Sequence, residues 1–399
     1  MPELGQLLSL EYGAALPAER RSGHGFPVFG SNGEVGRHDQ PLVDGPGIVI
    51  GRKGSVGKVC WSEDPFWPID TTYWVKCAAE QRRWIYWLLS RLPLAELDSS
   101  TGVPGLNRND VYELSVFEPP TADEKSQIAA VLDTIDTTIR QTEAIIEKLK
   151  QVKQGLLHDL LTRGIDANGE LRPPQSEAPH LYKDSPLGWI PREWEASDVA
   201  REFDVTSGIT LGPHRAPRSN ARKYLRVANV QRGRIELSDV AELDTTAAEM
   251  RARELVPGDL LVVEGHASTE EIGRCAMADE AVRGFTFQNH LFRLRAIRLL
   301  AVFALYWMNS GAVRAYWRTE AATSSGLNTI NRTKLSRVLV PVPDASEQQR
   351  IILAVESINQ RIECEMTGLS KMRAERSGLM DDLLTGRVRV APLLETSHA

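Results

Sequence analysis

The stretch QIAAVLDTIDTTIRQTEAIIEKLKQVKQGLLHDLL, Gln127 to Leu161, decides the fold, because the chain returns to it as QRIILAVESINQRIECEMTGLSKMRAERSGLMDDLL, Gln349 to Leu384. The copies run in register without a gap: Ile128 answers Ile351, Ile135 answers Ile358 and Leu160 answers Leu383. Such a repeat is the most informative single feature of a sequence. In the first copy Ile128, Leu132, Ile135, Ile139, Ile146, Leu149, Leu156 and Leu160 follow alternating steps of four and three, broken by polar Thr142 and Lys153. The second repeats the stripe as Ile351, Val355, Ile358, Ile362, Leu369, Met372, Leu379 and Leu383, with its breaks at Glu365 and Arg376. This is the heptad spacing of a coiled-coil seam. At about 1.5 Å per residue each helix is about 50 Å long, and burying each stripe against the other predicts an antiparallel pair. Gly155 and Gly378 take matching positions inside these helices, where Gly costs about 1 kcal/mol against Ala. Either a neighbour approaches closely there or the position is exposed.

Composition sets outer limits. With 399 residues, 42% of them hydrophobic and 25% charged, the chain is an ordinary globular sequence long enough for two or more cores. Cys60, Cys77, Cys275 and Cys364 form no CxxC pair, which points to neither a disulfide framework nor a zinc site and fits a reduced cytoplasm. No apolar run reaches membrane-spanning length and the N-terminus lacks signal-peptide features, so no membrane association is expected. A net charge of −6 argues against coating nucleic acid by bulk attraction. A local basic face is compatible with it, with modest affinity alone and more once partners add phosphate contacts.

Around the helices the chain falls into two similar halves. Residues 1–120 read as short strands broken by turns, FPVFGSNGEVG, DGPGIVIGRKGSVGKVCW and PFWPIDTTYWVKC, followed by the helical RWIYWLLSRLPLAEL. Residues 121–163 are the central spacer helix, with Thr121 or Asp123 as N-cap and Glu124 in the first turn. Residues 164–188 are proline-rich, have no periodicity and read as a linker. Residues 189–343 restate the first plan: LVPGDLLVVEGHASTEEIGRCAM parallels DGPGIVIGRKGSVGKVCW, GFTFQNHLFRLRA parallels PFWPIDTTYWVKC, and Tyr306 and Trp307 align with Tyr86 and Trp87. Residues 344–387 form the distal spacer helix, Glu347 answering Glu124, and 388–399 a tail. The fold class expected is α+β: two similar β-rich α/β domains separated by two long antiparallel coiled-coil helices in a pseudo two-fold repeat.

Taken in order, FPVFGSNGEVG, IGRKGSVGKV, FWPIDTTYWV, YLRVANVQRGRI, VPGDLLVVEG, FQNHLFRLR and SPLGWIPREW, with helices closing on HDLLTRG and DDLLTGR, resemble the specificity subunit of Type I restriction-modification systems over nearly the whole chain. The segment SPLGWIPREW before the second domain has no counterpart before the first. The resemblance implies two target recognition domains, each reading one half of an asymmetric, interrupted site in double-stranded DNA. It also implies partners: two methyltransferase subunits docked on the helices, and restriction/translocase subunits. Cofactors are expected in those partners, as S-adenosylmethionine, ATP and Mg²⁺, and none in this chain. Half-sites on one face of DNA recur about every 34–36 Å, a range that suits a spacer of about 50 Å with inward-leaning heads.

Duplex sequence is read by Arg or Lys on guanine, Asn or Gln on adenine and by shape, while phosphates take other polar groups. Loop positions suited to this are Ser31, Asn32, Arg52, Lys53, Ser55 and Lys58 in the first domain, with Thr71, Thr72 and Tyr73 at a strand edge. In the second they are Arg215, Arg218, Arg222, Lys223, Asn229, Gln231, Arg232, Arg234, His266, Ser268, Thr269, Gln288, Asn289 and His290. Each has a bland alternative: a solvated loop for the basic run, and buried backbone partners for Gln288 to His290. Asn107, Arg108, Ser324, Ser325, Asn328 and Asn331 read equally well as loop caps, and Trp84, Trp87, Tyr306, Trp307 and Trp317 as core. The catalytic motifs nearest to hand are incomplete: GRKGSVGKV lacks Walker A spacing, EPPT has Thr where a methyltransferase motif needs an aromatic, and no metal-ligand cluster is spaced correctly. A non-catalytic DNA reader is therefore expected. The other readings are a coiled-coil scaffold whose heads bind protein, and a self-sufficient restriction enzyme, which the missing motifs disfavour.

Overall fold

The computed structural model describes residues 1–97, 105–218, 220–268, 270–320 and 328–390. The chain divides into two compact units, Met1–Ile146 with Cys364–Ala399, and Glu147–Glu363. The first long helix is Ala122–Thr162 and the second Ala345–Leu383, the latter ending short of 387. Both begin with a side-chain cap on a buried glutamate: Thr121 Oγ1 accepts from the Glu124 N–H at 3.2 Å and Asp344 Oδ1 from the Glu347 N–H at 2.9 Å.

In the first unit an antiparallel sheet runs, in spatial order, Ser9–Tyr12, Thr72–Lys76, Gly47–Gly51, Val59–Ser62. Alternation sends Leu10, Ile48, Ile50, Tyr73 and Val75 to a core with Trp84, Ile85 and Leu88 of the helix Arg82–Arg91. The opposite face, through Val49, packs on Phe29 and Phe66. Covered on both sides, the central strand GIVIG is buried throughout, which is why its sequence reads as a continuous apolar run rather than an alternation. Ile128, Leu132 and Leu383 from the long helices join this core. Farther along, Ile135, Ile139 and Ile146 meet Leu369 and Met372, while Asp136 pairs with Arg376 and Glu143 with Arg373. Numbers rise along one helix as they fall along the other, so within this unit the two run antiparallel.

In the second unit the corresponding order is Phe203–Ser207, Leu291–Ala296, Leu260–Val263, Cys275–Met277. Phe203, Val205, Leu260, Val262, Phe292 and Leu294 face Phe303, Trp307 and Trp317, and the same core takes in Leu160, Leu161, Ile351 and Val355 from the long helices. The other face, Leu261, Val263, Ala276 and Leu291, is covered by Leu225, Val230 and Phe287. Trp84, Trp87, Trp307 and Trp317 are buried core residues rather than stacking platforms.

Two expectations change. The stretch 164–188 is no loose linker: Tyr182–Lys183 pairs with Ile190–Pro191, and Ile165, Ala178 and Tyr182 are buried. Its prolines hide a segment that packs by irregular contacts, which leave no period in the sequence. The spacer glycines resolve to the exposed alternative, since a Cβ added at Gly155 or Gly378 meets nothing within 4 Å. Gly155→Ala and Gly378→Ala are therefore each expected to stabilise the protein by about 1 kcal/mol, read as a higher urea midpoint. Among the described residues no helix is long and apolar enough to cross a membrane.

Candidate nucleic-acid interface

In the first unit Gly51 brings two loops together, for a Cβ there would lie 2.8 Å from Ser31 O and 2.0 Å from Ser55 O. The turn Ser31–Asn32 and the loop from Arg52 to Lys58 consequently form one patch. Lys58 Nζ donates to Asn32 O and Oδ1 at 2.8 and 2.7 Å. Lys53 is exposed, and among the described residues its ammonium has no partner. Arg52 donates from Nη2 to Asp70 O at 2.9 Å and lies over the rings of Tyr12 and Tyr73 at 5.1 and 5.9 Å. Arg108 covers Tyr12 as well, at 5.4 Å. Tyr12, 52% exposed between two guanidinium groups, was not among the expected readers; its signal was an aromatic at the very end of a strand.

Ser55 and Thr71 are half-buried, and the Thr71 carbonyl accepts from the Arg52 and Lys53 N–H groups. Thr72 and Tyr73 are withdrawn from any duplex. Both are buried, with the Thr72 hydroxyl donating to Ile69 O and the Tyr73 hydroxyl to Leu106 O. An edge strand would have left them accessible, but theirs lies between two others. Burial also pushes the Tyr73 hydroxyl above its usual range.

In the second unit the expected readers separate into exposed and structural groups. Arg218, Arg222, Lys223 and Arg234 are exposed, with Lys223 beside the Phe285 ring at 5.6 Å. Arg215 instead grips Glu249 through both guanidinium nitrogens, and Glu249 closes the capping box of Ala247–Arg253 with Thr246. The Arg215 guanidinium, then the Thr246 N–H, hold the Glu249 carboxyl down from 4.5 to about 2. A carboxyl whose pKa folding lowers stabilises fully above its unfolded value and loses that contribution as pH falls through the folded one. Wild-type stability should thus fall more steeply than that of Glu249→Gln between about pH 5 and 2, as read by thermal unfolding.

Asn229 is buried, its amide donating to Glu236 O and Asp239 O while Oδ1 accepts from the Arg226 N–H. Gln231 donates to Ala228 O. Arg232 donates to Asn309 Oδ1 at 3.3 Å and Glu270 O at 2.6 Å, and burial, with Arg314 and Arg274 nearby, pulls its pKa down. It therefore serves the fold, so Arg232→Ala is expected to lower stability. Gln288 is buried and Asn289 half-buried. His266 Nδ1 accepts from the Ser268 N–H at 3.0 Å and Ser268 Oγ from the Glu270 N–H at 3.2 Å, so both shape the loop. Exposed His290 pairs through Nδ1 with Glu264 Oε2 at 2.9 Å. Asn107 and Asn331 are helix caps. Thr269, Ser324, Ser325 and the Asn328 side chain lie outside the described residues.

The Type I restriction modification DNA specificity domain matches residues 2–151. The chain is similar to the MjaVIII specificity subunit of a Type I restriction enzyme of Methanocaldococcus jannaschii, with 23% identity over 306 residues, 73% of this chain and 66% of that one. It resembles the StySPI specificity subunit of Salmonella potsdam at 24% over 323 residues, 74% and 66% of the two chains. The EcoDI specificity subunit of Escherichia coli is 21% identical over 384 residues, 89% and 80%. The matches to the first two thus span slightly less than two thirds of those relatives' length. Among solved structures, the S subunit of a Type I restriction-modification system from M. genitalium aligns with a TM-score of 0.56 at 15% identity, covering 96% of this chain and 95% of that one. A chain from a type I R-M system structure aligns at 0.58 with 14% identity and 97% coverage of both. At such identities the likeness is one of fold.

Proposed function

We propose that this chain, which belongs to the family of Type I restriction-modification specificity subunits, is the sequence-reading component of such a complex, each unit reading one half of a bipartite site in double-stranded DNA. The observation that carries the proposal is the agreement between the two sheets. Edge strand, last strand, second strand and third strand follow in the same spatial order in both, and each unit carries exposed cations on its loops. Two heads of one plan with different loop side chains are what a non-palindromic, two-part target requires. The two long helices act as the coiled-coil spacer of this pseudo two-fold repeat, a role supported by the burial or part-burial of every seam residue.

Two methyltransferase subunits are the partners proposed for the helices, and two grooves support that number. One, of about 390 Å³, lies in the second unit among Leu157, His158 and Trp307. The other, of about 460 Å³, lies in the first among Met380, Asp381 and Trp87, the counterparts of those residues in the repeat. Exposed Gly155 and Gly378 adjoin them in sequence and leave room for a partner backbone. S-adenosylmethionine, ATP and Mg²⁺ belong in this reading to the partner subunits, restriction/translocase subunits among them, and the complex to the cytoplasm, where its DNA is. The test is to express the chain with its methyltransferase subunit and map methylated bases. A two-part consensus is expected, of which exchanging residues 189–343 for those of a relative alters one half only. Methylation without a consensus, or a change in both halves, counts against the proposal.

A further inference from the structure

In the second unit a cleft of about 630 Å³ opens where the loop after Leu260–Val263, the start of Leu291–Ala296 and the short helix Arg332–Ser336 meet. The Glu264 backbone is fixed there: its N–H donates to His290 O at 3.0 Å and its carbonyl accepts from the Ile330 N–H at 2.7 Å. The side-chain Oε2 meets His290 Nδ1 at 2.9 Å, and among the described residues Oε1 has no hydrogen-bond partner. Val227 and Ile330 wall the cleft.

Strand register identifies the same place in the first unit. Val263 pairs with Leu291 and Gly265 with Thr329; in the first unit Gly51 pairs with Thr72, and Lys53 bridges to Gly105. Asn331 and Asn107 each cap the short helix that follows. The residue between the paired positions is Glu264 in one unit and Arg52 in the other. One position of the fold therefore carries an acceptor-only carboxylate in one copy and a donor-only guanidinium in the other.

A carboxylate repels phosphates, so toward DNA the remaining oxygen of Glu264 is suited to accept a hydrogen bond from a base rather than to meet the backbone. Resting on the DNA-reading function proposed above, we propose that Glu264 is a specificity-determining residue that accepts from the exocyclic amino group of a cytosine in the major groove, with His290 holding the carboxylate in place. Cytosine is the base that presents only a donor on that edge, and carboxylates pair with it.

The test is selection from a randomised duplex pool by the chain assembled with its methyltransferase subunit, comparing wild type with Glu264→Gln and Glu264→Ala. Wild type is expected to enrich cytosine at one position of the half-site read by the second unit. In Glu264→Gln that preference falls about 5- to 150-fold or passes to adenine, which an amide reads; in Glu264→Ala it disappears. The other half-site stays unchanged in both variants. A wild-type consensus reproduced by both variants at every position overturns the assignment of Glu264 while leaving the DNA-reading function standing. Changes spread over both half-sites also overturn it, because they indicate a disturbed fold. If wild type enriches no sequence at all, the functional reading falls and this inference falls with it.

Discussion

Glu347→Ala is expected to destabilise the protein by about 3–5 kcal/mol, because it leaves a largely buried guanidinium with only the more distant Glu193 carboxylate, 3.8 Å away, as counter-charge. Glu347 is 1% exposed. Arg172 grips it with both guanidinium nitrogens, Nη2 donating to Oε2 at 3.1 Å and Nη1 to Oε1, and the Ile165 N–H donates to Oε1 at 2.9 Å. Gly164 turns the chain at this point with φ +67, and a Cβ there would lie 2.1 Å from Oε1 and 2.5 Å from the Trp194 ring. One carboxylate thus ties the segment leaving the first long helix to the first turn of the second, within the second unit. Total stabilities are about 5–15 kcal/mol, so the substitution removes a large share.

The first unit supplies the control. Glu124, 2% exposed, accepts from Nε and Nη2 of Arg389, and Arg389, then the Val390 N–H, hold its carboxyl below the usual range. The Arg389 side chain is 44% exposed against 10% for Arg172. Released from its partner, Arg389 rehydrates, so Glu124→Ala should cost less, about 1–3 kcal/mol. Urea unfolding of the two variants checks the order, and equal losses would show that burial of the arginine does not set the cost. Because Glu124 has a depressed pKa, its contribution is full above the unfolded carboxylate range and fades as pH falls below it.

That clamp marks the border of what was legible. Glu124 and Glu347 stood out as matched acids at the start of matched helices, but their arginines lie beyond the ends of the opposite helices, and no local pattern reveals a partner so distant in sequence. The same limit explains the readers that proved structural. Arg215 finds Glu249, Arg232 finds Asn309 and the Glu270 carbonyl, and Asn229 ties the turn through Glu236 to Asp239. From composition alone each was a polar loop residue. Thr72 and Tyr73 failed for another reason: a strand covered on both faces gives no alternation by which to tell inside from outside. The long helices were legible because their stripe has a period, and the strand–turn runs because glycine and proline mark their ends.

Duplex binding by the chain with its methyltransferase subunit should weaken about 10³-fold or more as salt rises from about 50 to 200 mM, the loss that follows when six or more phosphates are neutralised and their counterions released. The chain's net charge of −6 makes this a demanding expectation, since no bulk attraction supplies it. The slope has to come from local cations. Lys53 and Lys58 in the first unit and Arg218, Arg222, Lys223 and Arg234 in the second are exposed candidates. Removing a phosphate-contacting cation lowers the slope of log K against log salt by about one without altering base preference. Lys53→Ala should do that at unchanged stability. Arg232→Ala should lower stability and leave the slope of the folded fraction unchanged, because its guanidinium is already committed to Asn309 and Glu270. A protein-binding scaffold on the same helices would show no duplex binding steep in salt. The pair of substitutions then separates a cation that meets DNA from one that holds the fold, which a loss of binding in a single variant cannot do.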